Sequence, residues 1–514
     1  MTAPVTVIGE VVESSPVKET VIAETSSANS NSSKDFQGIR KNVEKFTLSN
    51  GLRVLVYKRS FSPIFTGQIW VKVGGVDEVP GETGLAHFLE HMAFKGSETI
   101  GTNNYQEEAP LLEELENIQL ALQIEETQEL KDQLKSVSEK LEKLWKPNEF
   151  SKLYKQRGAT GLNAGTSKDY TVYLVNLPVS ALDYWMWAES DRLINPVFRQ
   201  FYKEREVVQE ERRGRVENNP SGKLYEALLA TAYWTHPNRL PVIGWPSDIK
   251  SLSASAMRKF YHKHYRADNM VITLVGDIDS SEIKADLEKY FGSVPKGEGP
   301  RPRLFISEEE QTGPRESVVY YDANPQFFMA WHKPSWPNPE DAHFAVLHSI
   351  LSGGRSSVFH RELVQQKKIA LSAYSTEAPG ERYPPLFLIG AVPIPGVSNQ
   401  QLAEEMQTIL DRYKETLFTA EQVAAAKRRI KVGLLEGLDS NQSIARMIGK
   451  AEALWDDWEM VFESYDQIMA TTPEDLRSLL RKYSDPEKRT WVRLERPSAK
   501  GQGAQKASNA KGSN

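Results

Sequence analysis

The chain has no cysteine among its 514 residues. That absence excludes disulfides, thiolate zinc sites and a cysteine nucleophile, and it leaves the redox compartment open. Long apolar runs are missing too. "MVITLV" is too short, and "PLFLIGAVPIPG" too broken by proline, to approach the roughly 18 residues that cross a bilayer. There is no excess of positive charge. A net charge of −6 removes the basic footprint of a nucleic-acid binder. The first residues, "MTAPVTVIGEVVESSPVKETVIAETSSANSNSSKD", lack the basic start and apolar core of a secretory signal and the arginines of a transit peptide. The expectation is a cytoplasmic protein without a membrane span. Residues 1–41 are expected to form a disordered, acidic and Ser-rich leader, and 497–514 a disordered tail.

What is present is ordinary globular composition, 39% apolar and 26% charged, in a chain too long for one domain. "VEKFTLSNGLRVLVYKRS" reads as two strands around an Asn50-Gly51 turn, and "TGQIWVKVGG" as a third strand closed by glycines. Between about 104 and 148 the texture changes to Glu, Lys, Gln and Leu. Leu130, Leu134, Val137, Leu141 and Leu144 follow a heptad-like spacing, which predicts a helical hairpin, partly coiled-coil, ended by Pro147. Acidic residues outnumber basic ones there, so the hairpin reads as a solvated strut or as a docking surface. "VPKGEGPRPRL", 294–304, is the linker candidate. Setting Tyr265 on Tyr483 aligns a helix and a strand in each half, which suggests a repeat. Interleaved helices and hairpin signals favour α+β domains with mainly antiparallel sheets.

The chemistry concentrates in "GLAHFLEHM", Gly84 to Met92. On a helix, His87 and His91 share a face and can offer two imidazole nitrogens to one metal ion. Glu90 lies on the same face and can reach a water beside that ion without being a ligand. H-x-x-E-H is the inverted zinc-peptidase signature, but a catalytic zinc needs three protein ligands and an open position, so a third ligand decides the matter. Of the other histidines, His343 and His348 are five apart with no glutamate between them, and read as helix residues. His262 and His264, in "YHKHY", read as surface.

"GLAHFLEHMAFKGSETIGT" closely resembles the signature of the pitrilysin-like zinc peptidases, family M16. This family includes pitrilysin, insulin-degrading enzyme and the mitochondrial processing peptidase. Its third ligand ends a segment of form E-R-x-x-V-x-x-E, and "EREVVQEE" puts Glu211 on that position. Glu204 falls on the carboxylate that supports the metal site from behind the ligands. Glu204 and Glu211 are nearly two helical turns apart and share a face, whereas Glu206 and Glu210 fit worse and read as surface charge. The gap from His91 to Glu211 is longer than the family commonly has, and the excess is the size of the hairpin, which therefore reads as an insertion. The resemblance runs over about 42–495. It implies two homologous domains, a catalytic one at 42–293 and a non-catalytic one at 305–496. "LNAGTSKDYTVY" resembles the family's exposed edge strand, to which substrate adds as a further strand, with Asn163 and Ala164 nearest the scissile bond.

The resemblance also implies one zinc ion and a zinc metalloendopeptidase with Glu90 as general base. Alternatives are a non-catalytic scaffold subunit or a specific presequence-processing peptidase. One feature departs from the family. Active members carry an arginine and, seven residues later, a tyrosine in the second domain. Laying "RELVQQKKIALSAYS" on the family's "xxLRxxxGLAYSV" puts Val364 and Leu371 there. Lys367 and Tyr374 have the same separation in a shifted register, and lysine lacks arginine's fork. In short bacterial members one subunit can carry the zinc motif and another the Arg/Tyr pair. The expectation is therefore a hetero-oligomer with a related subunit that supplies the pair.

Overall fold

In "RVLVYK", alternation sends Val54 and Val56 to one face of a strand and Leu55 to the other, and all three are buried. A strand covered on both sides belongs in the middle of a layered domain, and its surroundings bear this out in a computed structural model that describes residues 36–497. Strands β1 (Val43–Thr47), β2 (Arg53–Lys58), β3 (Ile64–Val71), β4 (Thr160–Thr166), β5 (Thr171–Pro178) and β6 (Met270–Gly276) form one sheet in the order β1-β2-β6-β3-β5-β4. Strands β7 (Arg315–Tyr320), β8 (Gln326–His332), β9 (Ala370–Ala378), β10 (Leu386–Pro393) and β11 (Thr490–Glu495) form a second in the order β7-β11-β8-β10-β9. Without β1, the two orders coincide strand for strand. Each sheet has one parallel pair, β2 with β6 and β7 with β11, and is otherwise antiparallel. The fold is thus α+β with a duplicated plan, and the aligned Tyr265 and Tyr483 precede equivalent strands.

Each half lends a helix to the other. Helix Asn441–Trp455, from the second half, lays Ile444, Ala445 and Ile448 on the outer face of the first sheet, against Leu55, Trp70, Val271 and Val275. The approach is close at Gly449, where a Cβ would stand 2.4 Å from Trp70 Nε1. Helix Pro220–Ala232, from the first half, covers Phe328, Ala330, Leu388 and Val492 of the second sheet with Leu224, Leu228 and Leu229. A buried ion pair fastens the first exchange. Arg53 meets the fully buried carboxylate of Glu452 at 3.0 Å, and Lys45 meets it at 2.8 Å. Glu452→Ala leaves the buried Arg53 with Asp456 as its remaining acid, while the exposed Lys45 turns to water. It should cost about 2 kcal/mol, read as a lower urea midpoint for unfolding.

The hairpin consists of helices Tyr105–Ile124 and Gln128–Leu144. The chain leaves and returns at one point. Asn103 N donates to Leu144 O at 2.8 Å, Lys146 N donates to Gly101 O at 2.9 Å, and Thr102 bridges to Trp145. Leu115, Ile118, Val137 and Leu141 give the hairpin a small core of its own. It is more than a solvated strut, because two of its glutamates are buried. Glu108 takes Arg199 at 2.8 Å, and Glu116 accepts from Ser255 N and pairs with Arg258.

The linker expected at 294–304 lies in a longer irregular crossing between helix Ser280–Phe291 and β7. Near its end, the Glu308 carboxylate accepts from the backbone N–H groups of Trp234, Thr235 and His236. The leader boundary needs correction. Residues Gln37–Asn42 form a helix, and Phe36 and Ile39 are buried, with the Phe36 ring 4.8 Å from that of Tyr465. Two apolar side chains three apart anchor this turn on the second half. Residues 1–35 of the expected leader and 498–514 of the expected tail lie outside the described residues. No described helix is long and apolar enough to cross a membrane.

Candidate metal centre

Helix Leu85–Met92 starts at Gly84, with φ 91°, a left-handed conformation that favours glycine. A Cβ there would also meet Ile243 O at 2.8 Å. Since Gly84 has no side chain to cap the helix, Glu78 does it from outside. Its carboxylate accepts from Gly84 N at 2.8 Å and Ala86 N at 2.7 Å. These two bonds satisfy free N–H groups of the first turn and fix its direction. Burial raises the Glu78 carboxyl to about 8, against those two hydrogen bonds. Leu85, Phe88, Leu89 and Met92 are buried in the first core. The opposite stripe, with His87 and His91, faces helix Phe201–Arg212.

That helix brings Glu204 and Glu211 to the two histidines. His87 Nε2 lies 3.7 Å, and His91 Nε2 3.3 Å, from Glu211 Oε2. Among the described residues, His87, His91 and Glu211 are the one group of three such side chains whose donor atoms all lie within 4.8 Å of one another. Donors about 2.0–2.1 Å from a tetrahedral zinc stand about 3.4 Å apart, so the observed separations fit one ion of that kind.

The hydrogen bonds sharpen this fit. Glu204 Oε1 is 2.9 Å from His91 Nδ1. A carboxylate only accepts, so Nδ1 carries a proton, and in the neutral ring this leaves Nε2 to present its lone pair toward Glu211. Glu204 Oε2 is held by Lys95 Nζ at 2.5 Å. Glu211 divides its two oxygens. Oε1 forms an ion pair with Arg215 at 2.7 Å, while Oε2 is buried without a hydrogen-bond partner. An orphaned buried carboxylate oxygen facing two imidazole nitrogens is a site arranged for a cation.

The protonation preferences differ between the two imidazoles: burial opposes charge on His91, but the hydrogen bond to Glu204 and the Glu211 and Glu90 carboxylates raise it. Burial lowers His87 to about 3, and the nearby His91 and Arg215 push the same way, so His87 is neutral. For Glu204, burial opposes ionisation, but the hydrogen bonds from His91 and Lys95 prevail and hold the carboxyl at about 2. Glu90 is raised by burial. Its Oε2 accepts from Thr166 Oγ1 at 2.6 Å, which leaves Oε1 for other work.

Asn163 and Ala164 lie on β4, an edge strand paired only with β5, opposite Leu174 and Tyr173. Thr166, which holds Glu90, belongs to the same strand. The outer rim of β4 and the candidate base are thereby coupled through three residues of backbone. Thr166, Lys95, Glu78 and Arg215 were not singled out from the sequence. Arg215 carries a readable signal, its i+4 spacing from Glu211. Thr166 and Lys95 reach their partners across distant elements, and Glu78 reaches its own across the loop before the helix.

The remaining histidines do other work. His343 Nδ1 bonds Thr471 Oγ1 at 2.8 Å, and His348 Nδ1 bonds Ser375 Oγ at 2.6 Å, which fastens helix Pro339–Ser352 to its neighbours. His262 is exposed, but the surface reading is wrong for His264, which is 2% exposed and packs against Phe260. Its helix turns every fourth residue inward, so the alternation in "YHKHY" separates the two rings. Glu206 and Glu210 are exposed, and Glu210 pairs with Arg213.

In the second half, Lys368 has φ 52°, at the position where the family pattern "xxLRxxxGLAYSV" has glycine. That coincidence favours the register placing Val364 and Leu371 at the Arg and Tyr positions. Val364 packs against the second core, and Leu371 is 54% exposed. Lys367 is drawn to Glu405, and Tyr374 lies opposite Gly390, where a Cβ would meet its ring at 2.5 Å.

Comparison with known proteins agrees with this architecture. The family model described as insulinase (peptidase family M16) matches residues 53–129 and 136–244, and that described as peptidase M16 inactive domain matches 251–430. The zinc protease PqqE of Helicobacter pylori is 28% identical over 408 residues, covering 78% of this chain and 81% of that protein. A probable mitochondrial-processing peptidase subunit beta of Schizosaccharomyces pombe is 26% identical, covering 79% and 81%. The crystal structure of a protease from Helicobacter pylori superposes with a TM-score of 0.76 at 25% identity, over 88% of this chain and 99% of that one.

Proposed function

The chain belongs to the insulinase family of peptidases, family M16, and from that premise we propose that it is a zinc metalloendopeptidase acting on extended peptides. In this reading His87, His91 and Glu211 are the zinc ligands, Glu90 is the general base and Glu204 orients His91. The observation that carries it is the convergence of two imidazole Nε2 atoms on the unpartnered Oε2 of Glu211.

Bound zinc supplies Lewis acidity, activating a water and polarising a carbonyl. The chain's own residues do the rest. Glu90 Oε1 takes the water's proton and returns one to the leaving amine, while Thr166 keeps Oε2 occupied and the carboxyl aimed. The edge of β4 around Asn163 and Ala164 grips the substrate through main-chain hydrogen bonds, a grip that accepts many sequences in extended form. Glu204 and Lys95 hold His91 in the one tautomer that ligates.

The Arg/Tyr positions, occupied by Val364 and Leu371, favour a hetero-oligomer in which a related subunit supplies that pair. The relative named as a processing-peptidase subunit supports the same reading.

The metal assignment is tested by chelator titration. Wild-type protein should hold one zinc per chain. Glu204→Ala should weaken zinc about 10–100-fold while leaving the fold intact by circular dichroism. Unchanged zinc affinity in that variant would show that Glu204 does not support the site.

A further inference from the structure

A cavity of about 500 Å³ lies where three parts of the chain meet, and none of its lining residues is a candidate zinc ligand. Its size is within the about 300–1,000 Å³ of small-molecule sites. Lys72 enters from the end of β3, Arg301 and Arg303 from the crossing between the halves, and Arg382 from the β9–β10 loop. Against these four cations the wall has one carboxylate, Asp456, at the end of helix Asn441–Trp455.

That carboxylate is shared. Asp456 takes Arg301 at 2.7 and 3.2 Å, Lys72 at 3.4 Å, and also Arg53. Arg382 is paired away from the cavity with the buried Asp77 at 3.3 Å. Arg303 is exposed and has no ion-pair or hydrogen-bond partner among the described residues. Burial lowers the Lys72 ammonium to about 8. Asp456 opposes this, and the guanidinium groups of Arg382, Arg301 and Arg53 reinforce it. With Arg382 matched by Asp77 and Arg301 by Asp456, the positive charge left over in the cavity is that of Lys72 and Arg303.

We propose that this cavity binds a small polyvalent oxyanion, phosphoryl or carboxylate in type, on Lys72, Arg301, Arg303 and Arg382. Planar guanidinium forks match oxyanion edges, and several cations around one space favour an anion of more than one charge. Since the four residues come from the first sheet, the crossing and the second half, an occupant ties the halves together. It should stabilise the folded chain by mass action. The site is independent of the peptidase reading.

The test is calorimetric titration of the full chain with pyrophosphate and, separately, citrate at fixed ionic strength, with thermal unfolding in parallel. Saturable binding of at least one probe is expected, with a higher Tm. Arg303→Glu, which removes no contact of the fold, should weaken binding at least about tenfold. Tighter binding of pyrophosphate assigns the site to phosphoryl ligands, and of citrate to polycarboxylates. Either probe can chelate zinc, but chelation does not depend on Arg303. Equal binding by Arg303→Glu and wild type therefore overturns the proposal. So does absence of saturable binding of both probes at millimolar concentration, or a Tm rise reproduced by sodium chloride at equal ionic strength.

Discussion

Glu90→Gln should leave one zinc per chain and lower peptide hydrolysis by about 1,000-fold. Glutamine keeps the length and the oxygen that accepts from Thr166 Oγ1, so the side chain should stay where the glutamate is. Zinc should stay as well, because neither imidazole, nor Glu211, nor Glu204 bonds to Glu90. What disappears is the ability to take a proton. General acid–base groups contribute about 10²–10⁴ in rate, and a 1,000-fold loss corresponds to about 4 kcal/mol in the barrier. Because binding of an extended peptide at the β4 edge does not use Glu90, the loss should fall on kcat and not on KM. Zinc is counted by atomic absorption and hydrolysis followed on an unstructured fluorogenic peptide. Activity within tenfold of wild type would remove Glu90 from the role of base. Loss of zinc would instead make it part of the ligand set.

The parts of this centre that could be read in advance are those that helix periodicity makes local. His87, Glu90 and His91 lie within five residues, and Glu204 and Glu211 within eight, so each group needs one helix to share a face. Joining the two groups across the hairpin needed a resemblance, since a gap of 119 residues carries no geometric information by itself. Thr166 and Lys95 stayed hidden for a different reason. Thr166 meets Glu90 because β4 docks beside helix Leu85–Met92, and Lys95, just past the end of that helix, meets Glu204 because helix Phe201–Arg212 packs there. Such pairings follow from tertiary packing, which no spacing within a segment encodes. The exchange of helices between halves is similar. Ile444, Ala445 and Ile448 mark an apolar face on helix Asn441–Trp455, but which sheet it covers is decided by chain routing. Phe36 and Ile39 were too few apolar residues to signal a helix in a Ser-rich leader, yet two buried contacts suffice to order it when a groove near Phe462 and Tyr465 receives them.

The chain on its own should hydrolyse peptides weakly, and a related chain carrying the Arg/Tyr pair should raise kcat/KM by about 100-fold or more. The argument rests on what occupies the two positions here. Val364 is lodged against the second core, where an arginine would have to bring a guanidinium into apolar surroundings. Leu371 is 54% exposed on the edge strand β9 and offers no hydroxyl. Of the shifted alternatives, Lys367 is paired with Glu405, and Tyr374 lays its ring over Gly390 while remaining 40% exposed. On the proposed reading, this chain has a metal centre and a base but lacks two polar side chains that would hold a peptide at that centre. Two lost hydrogen bonds to the reacting region, one of them charged, amount to about 3 kcal/mol, which is about 100-fold in rate. The measurement is kcat/KM for the isolated chain, with its oligomeric state fixed by light scattering, then for mixtures with the second chain. A second chain whose arginine and tyrosine are replaced by alanine should not stimulate. Full activity of this chain as a homomer, in the ordinary enzyme range of about 10⁴–10⁸ M⁻¹s⁻¹, would show that the missing side chains are not needed and would refute the hetero-oligomer.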